Sequence, residues 1–105
     1  MVAWYTTEHV AEKEIIEHLG VATGSTIRAR NIGRDIVAGL RTIVGGEVPE
    51  YTEMMAHARN QAIERMQQKA ADLGADAIVC VRFSTAMIMQ GTAEVMAFGT
   101  AVKLK

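Results

Sequence analysis

The chain has 105 residues, half of them hydrophobic and 5% aromatic, with a net charge of −1. This length holds one domain, 1–105, because two cores would be starved of apolar surface. Acids and bases are interspersed, which excludes a nucleic-acid footprint of clustered Lys and Arg, and no segment approaches the roughly 20 apolar residues that span a membrane.

Residues 1–13 read as an N-terminal arm. The stretch has no apolar run and carries Glu8 and Glu12, so no secretory leader is expected. Period-two alternation then predicts a long strand from Ile15 to Ala29, half buried on its Leu19–Val21–Ile27 face. Gly20 and Gly24 flank Ala22 on the opposite face, where the strand bends or bulges, or another chain approaches closely. From Asn31 to Val44 the spacing of Ile32, Ile36, Leu40 and Ile43 turns helical, with Asn31 as N-cap and Gly45-Gly46 as terminator. Pro49 opens a longer helix whose stripe is Tyr51, Met54, Met55, Ala58, Ala62, Met66, Ala70 and Leu73. Its alanines make the stripe thin, and Gly74 ends the helix.

An apolar hairpin follows, turning at Gln90-Gly91-Thr92. Strict alternation places Val79, Val81, Phe83, Thr85, Met87 and Met89 on one face, with Met96 across the hairpin from the methionines. Both faces of both strands are apolar, so a cover for the second face is expected. The order is β-α-α-β-β: an α+β domain with a three-stranded antiparallel or mixed sheet packed on helices. A domain this small buries only about two-thirds of its unfolded surface, so half-apolar composition leaves surface for a subunit interface.

No catalytic constellation is legible. The single cysteine, Cys80, rules out an intrachain disulfide and suits a reducing cytoplasm. The seven methionines offer thioethers to a soft metal, but six occupy positions where Met fills gaps. Glu53 and His57 have the i,i+4 spacing of a helical metal clip without an HExxH pattern, and a solvated helix face is the better reading of them. Arg28, Arg30 and Arg34 form the densest positive spot, suited to an anion or to ion pairs with Asp35 or Glu47. Glu94 opens the last strand, where it is either exposed at the turn or paired.

An ordered series of residues carries a resemblance over nearly the whole chain. It runs through Thr6-Thr7, Leu19-Gly20-Val21, Asn31 to Asp35, Gly45-Gly46-Glu47, Tyr51-Thr52, Ala58-Arg59 and Ala62 with Met66. It closes with Leu73-Gly74-Ala75-Asp76-Ala77, Glu94 and Phe98-Gly99-Thr100-Ala101-Val102. This series resembles the YbjQ-like family of small prokaryotic proteins. The resemblance implies a dodecin-like subunit assembling into a ring, usually a pentamer and sometimes two stacked pentamers, together with a heavy-metal-binding label and no catalytic residues. The expectation is therefore a non-enzymatic, cytoplasmic homo-oligomer that binds a metal ion, with Cys80 or His57 as donors brought together by symmetry. The alternative is a ligand carrier or enzyme using Arg28, Arg30, Asn31, Asp35, Glu47, Tyr51, Arg59 and Glu94 between subunits.

Overall fold

A computed structural model describes residues 1–29 and 49–105, with backbone only at 49–51. The expected helix Asn31–Val44 and its Gly45-Gly46 terminator lie outside the described residues, as do Arg30, Asn31, Arg34, Asp35 and Glu47. In chain order the described elements are β1 (Ala3–Trp4), β2 (Ile15–Ala29), α1 (Pro49–Asp72), β3 (Ala77–Met89) and β4 (Thr92–Leu104). Among the described residues the strands form one mixed sheet in the order β1-β3-β4-β2. β1 runs parallel to β3, whereas β4 pairs antiparallel with both β2 and β3.

The described residues thus form a sheet of four strands where three were expected. The additional one, β1, is two residues long, too short for alternation to register in sequence. It tethers the supposed arm to β3, with Tyr5 N donating to Ile78 O at 2.8 Å, Cys80 N to Thr7 O at 3.0 Å and Val81 N to Tyr5 O at 3.0 Å.

α1 buries the thin stripe of Ala58, Ala62, Met66 and Ala70, each 0% exposed. It closes in a Schellman motif: Ala75 N donates to Ala70 O at 3.0 Å, Gly74 N donates to Ala71 O at 2.9 Å, and Gly74 takes φ +80. The glycine supplies the left-handed residue this turn requires.

The face of β2 that meets α1 is the reverse of the expected one. Ala22, Gly24 and Thr26 lie under the helix, while Val21 and Ile27 remain 63% and 60% exposed. The cause is at Gly24, where an added Cβ would overlap the Met66 amide nitrogen and the Ala62 carbonyl oxygen. Helix backbone rests directly on strand backbone, a separation that a valine or isoleucine face would not permit. Leu19 escapes to the helix side because it is the extra residue of a bulge between His18 and Gly20, the latter at φ +123.

A second bulge reorders β3. Register jumps from Val79↔Thr100 to Arg82↔Phe98, and Cys80 adopts φ 56. Val81 therefore joins Ile78 on the helix side, and Val79 packs with Val10, Ala77 and Val102 on the other. The expected Val79–Val81 face is broken by this one-residue phase shift. Gly99 lies opposite the bulge, and a Cβ there would meet Val79 O at 2.9 Å and the Ile78 and Val81 methyls at 2.8 and 2.9 Å. Beyond the bulge, Arg82 to Met89 are all exposed. The second face of the hairpin is covered near the bulge by Val10 of the N-terminal segment.

Two outcomes are expected in urea unfolding. Gly24→Ala should lower stability by about 1–3 kcal/mol, because its methyl meets backbone that no rotamer change can clear. Thr26→Val should raise stability by about 1 kcal/mol, because the Thr26 hydroxyl is buried without a hydrogen-bond partner.

Candidate functional site

Arg28 is the residue around which a site forms. It sits near the end of β2, in register with Ala93, on the helix side of the sheet. Its Nη2 donates to Gln61 Oε1 of α1 at 2.8 Å, and its Nε is enclosed without an acceptor. One turn further along α1, Arg65 Nη1 donates to Ser25 O at 2.6 Å. Two guanidinium groups thus fasten the helix to the far half of β2, each hydrogen bond strengthened by the donor's charge.

Beside Arg28 the start of α1 and the β3–β4 turn leave a partly open cavity of about 200 Å³. Its walls are Arg28, Met54, Met55, Met87, Gly91, Thr92 and Ala93, and they are predominantly apolar. Met54 and Met55 lead the buried stripe of α1, whereas Met87 is 76% exposed on the projecting part of β3. Sequence reading identified all three as gap-fillers. Their convergence with Arg28 depends on contacts between residues far apart in the chain, which periodicity does not encode.

The remaining polar candidates are dispersed. Arg59 is exposed on α1, and Tyr51 belongs to the first turn of that helix. Glu94 is half-buried and in register with Ile27 and Ala86, hence on the sheet face opposite Arg28. Of the expected ligand-binding residues that are described with side chains, Arg28 lines the cavity while Arg59 and Glu94 point to other regions.

The expected metal donors are also apart. His57 is exposed on α1, and Cys80 is half-buried beside the Val10–Val79–Val102 cluster across the sheet. Among the described residues no three His, Cys, Asp or Glu side chains converge on a metal position. Met96 does not meet Met87, because it is in register with Ser84, on the other face of the sheet. No described helix is long and apolar enough to cross a membrane.

The Arg28–Gln61 pair can be isolated by a double-mutant cycle with Arg28→Met and Gln61→Ala. A coupling energy of about 1 kcal/mol in chemical unfolding is expected, and additive effects would show that the contact does not contribute.

Comparison with known proteins places the chain. A family profile described as "Putative heavy-metal-binding" matches residues 2–105. A UPF0145 protein of Dehalococcoides mccartyi is 60% identical over 96 residues, covering 91% of this chain and 92% of its own. A UPF0145 protein of Archaeoglobus fulgidus is 55% identical over 100 residues, covering 95% and 93%. The crystal structure of a DUF74-family protein of unknown function from Pediococcus pentosaceus superposes with a TM-score of 0.71 at 17% identity, over 99% of this chain and 98% of the other. That structure shares the fold. The match across residues 2–105 and the identity to its bacterial and archaeal relatives make this chain a member of the YbjQ-like, UPF0145 family.

Proposed function

We infer that the chain is a non-enzymatic subunit of a cytoplasmic homo-oligomeric ring, with heavy-metal binding arising between copies. The observation that carries the reading is the uncovered apolar side of the sheet. Val21 and Ile27 on β2 are 63% and 60% exposed, and Ile88 on β3 is 51% exposed. Among the described residues β2 is also an edge strand of 15 residues, whose outer backbone groups lack a ladder partner. Long apolar edges of this kind invite pairing, and a closed ring of copies covers them without open-ended growth.

Shape supports the same reading. The molecule measures 54 × 22 × 19 Å with a radius of gyration of 17.1 Å, against about 13 Å for a compact domain of its length. An elongated subunit has more apolar surface to cover than a sphere, and association covers it. For a soft metal, one half-buried thiol per chain is too few donors. Symmetry-related Cys80 copies would supply more, and the family description points in the same direction.

Light scattering on untagged protein tests the assembly: a mass several times 11.4 kDa, with five-fold favoured, is expected at micromolar concentration. A stable monomer would reject it. The double substitution Val21→Lys, Ile27→Lys should lower the mass while leaving the helical circular dichroism unchanged. Titration with Cd(II), Zn(II) and Cu(I) tests the metal reading, which fails if no ion binds stoichiometrically or if Cys80→Ser binds as the parent does.

A further inference from the structure

The cavity beside Arg28 belongs to neither the sheet face proposed for assembly nor the Cys80 neighbourhood. We propose that it binds an aliphatic monocarboxylate of about six to eight carbons, with the carboxylate on Arg28 and the chain against Met54, Met55 and Met87. The walls come from one chain, so this site stands independently of the ring.

Three observations choose this ligand class. First, the lining is predominantly apolar, and two of its methionines, Met54 and Met55, are half-buried. Flexible thioether side chains adapt to an alkyl chain of variable shape. Second, the polar requirement is anionic. Arg28 commits Nη2 to Gln61, a neutral amide, so its charge meets no carboxylate in that contact. Its Nε is enclosed by protein, so a ligand in the cavity meets the outer guanidinium nitrogens. A guanidinium held by a neutral amide keeps its charge uncompensated there, and a carboxylate is the acceptor that forms the stronger, charge-assisted hydrogen bond with it. Third, the volume is limiting. About 200 Å³ holds roughly seven groups of water or methylene size, taking about 30 Å³ for each, so the cavity encloses most of such a molecule and its open side takes the rest.

The same guanidinium disfavours the competing occupant. Three methionine sulfurs would suit Cu(I) or Ag(I) in the absence of a nearby charge. Here a cation entering the cavity would approach Arg28, which repels it in a partly desolvated setting. The apolar lining and the positive charge together select an amphiphilic anion.

Calorimetric titration of the full chain with octanoate is the test, with octan-1-ol and Ag(I) as parallel probes. Saturable binding of one octanoate per chain is expected, with octanol at least tenfold weaker. Arg28→Met should weaken octanoate at least tenfold and leave octanol unchanged. Ala93→Leu, which fills the cavity without touching the charge, should weaken both, and this variant serves if Arg28→Met fails to fold. Methyl NMR should show octanoate shifting Met54, Met55 and Met87 but not Met96. Equal affinity for octanol, indifference to both substitutions, or stoichiometric Ag(I) binding without octanoate binding would each overturn the proposal. Native mass measured on the same samples keeps the assembly reading separate, since either can fail without the other.

Discussion

The direct seating of α1 on the backbone of β2 is the contact on which the rest of the structure depends. Gly24 has no side chain, Ala62 has one carbon, and the helix amide at Met66 lies where a strand Cβ would otherwise be. This contact decides which side of β2 is inside. Once Ala22, Gly24 and Thr26 are beneath the helix, period-two geometry obliges Val21 and Ile27 to point away. It also brings Arg28 to the helix side, where Gln61 receives it and the cavity opens beside it. The apolar outer surface and the candidate ligand site are therefore two results of one packing choice.

Much of the element pattern was legible because it rests on local periodicity. The stripe of Ala58, Ala62, Met66 and Ala70 recurs at helical spacing and is the buried stripe. Gly74 terminates α1 because a left-handed residue is needed there and no other side chain suits it so well. The inside face of β2 was not legible in the same way. Ranking faces by side-chain bulk favours Val21 and Ile27, yet a close backbone approach rewards the smallest residues instead. The bulge in β3 carries no glycine at its left-handed position, which is occupied by Cys80, so sequence gives no sign of it. β1 is too short to show any period.

The candidate site divides along the same line. Arg28 stood out as part of a charged cluster, a property visible in the linear chain. Its neighbours Met54, Met55, Met87 and Ala93 are ordinary apolar residues until α1 and the hairpin bring them together. Glu94, far along the chain, groups with Arg28 as a polar outlier in sequence, but register puts the two on opposite faces. A family description in terms of heavy metals and a cavity chemistry in terms of anions need not compete, since Cys80 lies on the other side of the sheet from the cavity.

The bulge at Cys80 makes the outer hairpin a matter of parity. Every residue from Arg82 to Met87 inherits its face from the single extra residue at the bulge. Pairing the same residues without the bulge would exchange the two sides of β3 beyond it: Phe83 and Met87 would leave the helix face, and Arg82 and Ser84 would enter it. Phe83 would lose its edge-to-face contact with Trp4, whose ring centroid lies 6.1 Å away. A relative with one residue fewer between Val79 and Arg82 would keep these faces on a regular ladder, because the residue matching Arg82 would still pair with that matching Phe98. The extra residue therefore moves that surface by one position in sequence while leaving the surface itself in place.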